Sequence, residues 1–219
     1  MTANGYETVT SGAPLDKARA AVILLHGRGG LAEDMLALAE AFAQRDIAYR
    51  ALQAPGRTWY PRSFLAEIAQ NEPYLTHSLA AVGEAVGTLK TSGLPAERIA
   101  LIGFSQGACL ALEFAARNAE RFGGVAALSG GLIGPNGTPR DYQGSLAGTP
   151  VFVGCSDVDS HIPLERVNES GAVLQRLGAN VTKRIYPGMG HTVVDDEVRA
   201  IQAMLATIPE REKERSYAG

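Results

Sequence analysis

The chain has 219 residues, 46% of them hydrophobic and 20% charged, with a formal net charge of −3 and a pI near 5.8. That length and apolar content suit one domain spanning 1–219 with a sizeable core, while the slight acidity offers no basic footprint for nucleic acid or an anionic membrane surface. The longest aliphatic run, Ala20 to Leu25, is far shorter than the ~20 residues of a membrane span, and the first residues carry no basic segment followed by an apolar core. A soluble, cytoplasmic protein without membrane insertion is expected. Cys109 and Cys155 lie inside apolar segments and read as small buried hydrophobes in a reducing compartment, not as a disulfide.

Along the chain, Tyr6 to Thr10 alternates weakly, as an edge strand does. Ala20-Ala-Val-Ile-Leu-Leu25 is a continuous apolar run closed by His26-Gly-Arg-Gly-Gly30, which suits a strand buried on both faces. Met35, Leu36, Leu38, Ala39 and Phe42 fall at helical spacing behind Glu33 and Asp34, acids placed where a helix dipole favours them. Ile47 to Ala54 reads as a strand stopped by Pro55-Gly56. An irregular aromatic stretch, Arg57 to Asn71, precedes a long helix predicted from Glu72 to about Lys90 with Asn71 as its cap. After the central segment described next come a strand at Gly124 to Ser129 and a Gly- and Pro-rich loop, Gly130 to Gly148, whose length suggests that it lines a site. A strand at Pro150 to Gly154, a helix at Pro163 to Leu177, a strand at Asn180 to Tyr186, a helix from Val194 to about Ile208 and a charged tail at Glu210 to Gly219 complete the chain. No repeat or linker divides it. Alternating strands and helices imply a mostly parallel, doubly wound α/β sheet of about seven strands with helices on both faces.

The chemistry centres on Ile99 to Phe114. An apolar strand runs into Gly103-Phe-Ser-Gln-Gly107 and then into a buried helical pattern. A G-x-S-x-G between strand and helix makes so sharp a turn that its flanking positions barely accommodate a Cβ, and it leaves the serine exposed at a helix N-terminus. The plainer reading, a serine that only caps the helix, competes with this one. A serine hydroxyl needs a base within hydrogen-bond reach and a third group to orient that base. Among four histidines, His191 lies in a glycine-rich turn between the last strand and last helix, at the carboxyl edge of the sheet where Ser105 also sits. The orienting acid belongs in the loop after Val151 to Gly154, where Asp157 and Asp159 both qualify by position. The developing oxyanion needs preorganised N–H donors, and the backbone of Gln106 and of Arg28 is placed to supply them. The Arg28 side chain is either a surface group or a holder of polar substrate. No H-E-x-x-H or C-x-x-C spacing occurs, so neither metal nor cofactor is expected.

These residues carry a resemblance. From Leu25-His-Gly-Arg-Gly29 through Trp59-Tyr-Pro61, Gly103-Phe-Ser-Gln-Gly107 and Leu128-Ser-Gly-Gly131 to Gly190-His-Thr192, the chain resembles the carboxylesterase, lysophospholipase and acyl-protein thioesterase family of α/β-hydrolases, in particular its small bacterial esterases. The resemblance implies an α/β-hydrolase fold, and no segment is large enough for a helical cap domain, since the loop regions at Arg57 to Asn71 and Gly130 to Gly148 are each about twenty residues or less. It also implies a serine esterase forming an acyl-enzyme, with Ser105 as nucleophile, His191 as base, and Arg28 and Gln106 as oxyanion donors. The family's D-x-x-V-P pattern matches Asp159-Ser-His-Ile-Pro163 and selects Asp159 as the acid. Arginine stands here where the thioesterase members carry leucine after the His-Gly pair, which points away from long-chain or protein-bound acyl groups. A lysophospholipase or acyl thioesterase is the alternative activity, and a non-catalytic ligand-binding member of the fold is the alternative of another class.

With no cap, the aromatic stretch and the Gly130 to Gly148 loop are left to form the acyl pocket. Trp59, Phe64 and Leu65 are its expected apolar lining, with Arg57, Arg62 and Arg140 set among them. Charge beside the chain path predicts short acyl esters as substrates, and a monomer or homodimer is expected.

Overall fold

The computed structural model describes residues 5–210. The charged tail therefore lies, after residue 210, outside the described residues. Seven strands form one sheet in the order β1-β3-β2-β4-β5-β6-β7, with β1 (Glu7–Gly12), β2 (Ala20–Leu25), β3 (Ile47–Gln53), β4 (Ile99–Phe104), β5 (Gly124–Leu128), β6 (Pro150–Ser156) and β7 (Asn180–Tyr186). Only β1 runs antiparallel, against β3; every other pairing is parallel.

The continuous apolar strands follow from burial on both faces. In β2, Ile23 and Leu25 face the same side as Leu101, Val125 and Val153, whereas Val22 and Leu24 face the other side with Ile102, Leu128 and Phe152. The first face is covered by α3 (Tyr74–Thr91), α4 (Gln106–Arg117) and α5 (Leu164–Arg176), and the second by α1 (Ala32–Glu40) and α6 (Asp195–Ala206). Helices on both faces of a mostly parallel sheet are the arrangement that alternating strands and helices dictate. Buried Arg19, just before β2, fixes α6 by donating from its guanidinium to the carbonyls of Leu205 and Ile208 at 3.1 and 2.6 Å, satisfying groups that a helix C-terminus leaves open.

One predicted helix starts differently. A short α2 (Ile68–Asn71) precedes α3, and Asn71 caps nothing. It is fully buried; its Oδ1 accepts the Arg62 N–H at 2.8 Å and its Nδ2 donates to the Ser63 carbonyl at 2.9 Å. Those contacts pin the aromatic stretch, an interaction between chain segments that helix-capping statistics do not contain. The Gly130 to Gly148 loop also departs from expectation. Leu132, Ile133 and Leu146 are buried in the core, and Arg140 is engaged by Glu169 and the Ile133 carbonyl, so the loop packs against α4 and α5 and does not line the site.

Candidate active site

Strand β4 ends in the turn that carries Ser105, whose φ of 53° is one that L side chains rarely adopt. Two glycines permit this turn. A Cβ at Gly103 would lie 2.2 Å from the Gly107 carbonyl oxygen, and a Cβ at Gly107 would lie 2.2 Å from that of Leu25 in β2. The chain is thereby folded back so tightly that α4 begins directly against the sheet. The Ser105 N–H donates to the Leu128 carbonyl at 2.9 Å, which ties the turn to β5.

The Ser105 hydroxyl makes no helix-capping bond, which disposes of the plainer reading. Instead its Oγ lies 2.8 Å from Nε2 of His191, whose Nδ1 lies 2.7 Å from Oδ2 of Asp159. A carboxylate only accepts, so Nδ1 carries the proton and Nε2 is left free to accept the serine's. The Asp159 side chain is fully enclosed, and its other oxygen, Oδ1, takes the N–H groups of His161 and Ile162 at 2.8 and 3.0 Å. Burial works to raise this carboxyl, but the bonds from His191 and the two amides outweigh it and hold the group below the ordinary carboxylate value. Asp157 acts elsewhere, its Oδ1 accepting the Gly188 N–H at 2.8 Å and so bracing the turn that leads to His191. Phe104 packs on the base, ring centroids 5.1 Å apart.

In the loop after β2, the Gly29 N–H donates to the Arg57 carbonyl and the Gly30 N–H to that of Gly27. The N–H groups of Arg28 and of Gln106, the first residue of α4, have no acceptor among the described residues, and both residues line the cleft around Ser105. Both side chains are bonded to residues 58–62. The Arg28 guanidinium donates to Thr58 Oγ1 and to the carbonyls of Pro61 and Arg62, and the Gln106 amide donates to the Tyr60 carbonyl and accepts the Trp59 N–H. Together they clamp residues 58–62 over the site. A polar residue between a nucleophilic serine and a packing-critical glycine, at a buried helix start, was the available signal for Gln106; the reach of Arg28 leaves none.

The cleft has a volume of about 590 Å³ and is lined by Tyr60, Pro61, Phe64, Phe104, Ile162 and His161, among others. Of the expected pocket residues Phe64 is in place. Trp59 is not: it is fully buried between Tyr6 and His26, its indole N–H donating to the His26 carbonyl at 2.8 Å, and Leu65 packs against the core. An aromatic ring with one polar edge serves a core with a spare carbonyl as well as it serves a pocket, and composition does not separate the two. Of the three arginines only Arg62 lines the cleft. His26 is structural, its Nδ1–H donating to the Gly27 carbonyl and its Nε2 accepting the Ala54 N–H. Both cysteines are free and buried, their thiols pushed up to about 12 chiefly by burial. Among the described residues no three His, Cys, Asp or Glu side chains gather to hold a metal ion, and no helix is long and apolar enough to cross a membrane.

The chain is similar to known proteins over most of its length. The crystal structure of a phospholipase/carboxylesterase from Dyadobacter fermentans superposes with a TM-score of 0.89 at 42% identity, covering 94% of this chain and 99% of that one. Acyl-protein thioesterase 1 of Saccharomyces cerevisiae is 28% identical over 222 residues, covering 88% of this chain and 94% of its own. Acyl-protein thioesterase 1 of Gibberella zeae is 34% identical over 119 residues, so the match spans about half the length of that relative, 49%. The phospholipase/carboxylesterase family profile matches residues 4–208, nearly the whole described chain. A seven-stranded sheet with a serine at the β4–α4 turn and a profile match of that extent place the chain in the phospholipase/carboxylesterase family of ester hydrolases.

Proposed function

We propose that the protein is a serine carboxylesterase acting on short-chain acyl esters through an acyl-enzyme. The observation that carries this reading is the continuous hydrogen-bonded line from Ser105 Oγ to His191 Nε2 and from His191 Nδ1 to Asp159 Oδ2, at 2.8 and 2.7 Å. Ser105 attacks the ester carbonyl as its proton passes to His191. The resulting imidazolium is stabilised by Asp159, and the oxyanion is held by the N–H groups of Arg28 and Gln106. Collapse of the tetrahedral species expels the alcohol with the proton from His191 and leaves the acyl group on Ser105. Water, deprotonated by the same imidazole, then releases the acid.

Short acyl groups fit the composition of the cleft wall. Each methylene buried in an apolar channel is worth about 0.8 kcal/mol, so a long-chain enzyme needs continuous apolar lining. Here Arg28, Arg62, Ser63 and His161 interrupt the surfaces of Tyr60, Pro61, Phe64 and Ile162. A thioesterase is the second reading, favoured by the names of the fungal relatives.

A fluorophosphonate should label Ser105 in the wild type, and Ser105→Ala should lose both labelling and roughly 10⁴-fold or more in kcat while keeping its Tm. Among p-nitrophenyl esters from acetate to palmitate, kcat/KM should peak at about two to four acyl carbons, where apolar burial ends and water begins. A maximum at about eight carbons or beyond overturns the short-chain reading, as it would mean methylenes continue to be buried. Faster turnover of a matched thioester would favour the second.

A further inference from the structure

The cleft around Ser105 carries cationic groups and no exposed acid, although the chain as a whole is slightly acidic. Arg28 and Arg62 line it, and no aspartate or glutamate is among its lining residues; the Asp159 carboxylate behind His191 is completely enclosed. The acceptors of the Arg28 guanidinium are a hydroxyl and two carbonyls, so its charge is hydrogen-bonded without being neutralised. The Arg62 side chain has neither a hydrogen bond nor an ion pair among the described residues, although its backbone is held on both sides. Its N–H donates to buried Asn71 at 2.8 Å and its carbonyl accepts from Arg28 at 2.6 Å. A fixed backbone thus presents an uncommitted guanidinium at the cleft. By contrast, Arg140 and Arg166, elsewhere in the molecule, are both paired with Glu169.

A concave surface of one sign with low-dielectric walls concentrates field lines and draws ligands of the opposite sign. A guanidinium meets a carboxylate or phosphate with two parallel donors. We infer that the preferred substrates are anionic esters, molecules that carry a carboxylate or phosphate a few bonds from the scissile ester, with Arg62 as the residue that receives the charge. The inference rests on the reading of Ser105 as an esterase nucleophile and adds the chemical class of what that nucleophile meets.

The test compares matched pairs in which a carboxylate replaces a carboxamide. Monomethyl glutarate and its terminal amide place the charge on the acyl side; meta-acetoxybenzoate and meta-acetoxybenzamide place it on the leaving-group side. In at least one pair the anion should show about tenfold higher kcat/KM, and the ratio should shrink toward one near 1 M salt, where charges are screened beyond roughly 3 Å. In Arg62→Gln the ratio should also collapse toward one, and in Arg62→Glu it should favour the amide. Ratios at or below one in both pairs overturn the inference, as does an anion preference that survives both salt and the Arg62 variants. Wild-type protein that hydrolyses none of the four esters breaks the esterase reading instead, which keeps the two failures apart.

Discussion

The proposed nucleophile, Ser105, and its proposed base, His191, stand at the same edge of the sheet, yet they are held by different means. Ser105 is fixed by steric closure: Gly103 and Gly107 let backbone approach backbone where no side chain fits, and α4 is buried nearly all round. His191 follows β7, a partly exposed edge strand, in a turn braced by hydrogen bonds. Its ring is held by Asp159, and the turn around it by Asp157 on one side and, on the other, by Glu197, whose Oε2 accepts the Val194 N–H at 3.0 Å. Steric closure has no partial state, whereas hydrogen bonds are lost one at a time. The nucleophile is therefore intolerant of small changes in shape, and the base is sensitive to changes in charge.

Replacing Asp159 by Asn keeps the shape of the base side and removes its charge, so kcat should fall roughly 10⁴-fold with a small change in Tm. Asp157→Ala removes one brace of the turn without touching the ring, and its loss should stay below about tenfold. If the second variant is the more damaging, the division of labour between the two acids is wrong. On the nucleophile side, Gly107→Ala adds a single methyl against the Leu25 carbonyl and should cost more than about 3 kcal/mol, read as a drop in Tm of roughly 10 °C or as failure to fold. A Tm within about 2 °C of wild type would show that the turn is far more yielding than close packing implies.

The last effect is pH-dependent. Burial raises the Glu197 carboxyl to about 7, the bond from Val194 offsetting this only in part, and its Oε1 has no partner among the described residues. The native carboxyl keeps its proton up to about 7, whereas the unfolded chain releases it near 4.5, so the native form binds the extra proton between those limits. Stability therefore falls as pH rises through that window, by up to about 3 kcal/mol. Glu197→Gln removes the contribution, and the Tm of the variant relative to wild type should rise between about pH 4.5 and about pH 8. A difference that does not change with pH would mean that Glu197 is already charged in the folded protein and braces the base turn as a carboxylate.

The difference between the two sides also decides what the sequence reveals. Steric closure is written in glycines, so Gly103-Phe-Ser-Gln-Gly107 announces the turn, and the apolar runs of β2, β4 and β5 announce the buried sheet around it. The pairing of His191 with Asp159 was legible in two steps: position alone left Asp157 beside Asp159, and the family pattern separated them. Bonds between distant segments were not legible. Asn71 sits where a helix cap is expected and instead holds Arg62 and Ser63, and Trp59 turned inward to a carbonyl of His26 that no periodicity points to. Glu197 reads as an ordinary acid in a first helical turn until packing against Gly154 closes it off.

The clamp on residues 58–62 has a consequence for how specificity can change. Arg28, Gln106 and Asn71 hold that segment through its peptide groups and the Thr58 hydroxyl, leaving the side chains of Arg62 and Ser63 exposed at the cleft. The segment works as a mounting rail: what is mounted at 62 and 63 can be exchanged while the rail stays bolted to the residues whose amides we propose as oxyanion donors. A library randomised at those two positions is accordingly the shortest route to new ester selectivities on this scaffold, and one randomised at 28, 71 or 106 would loosen the rail itself.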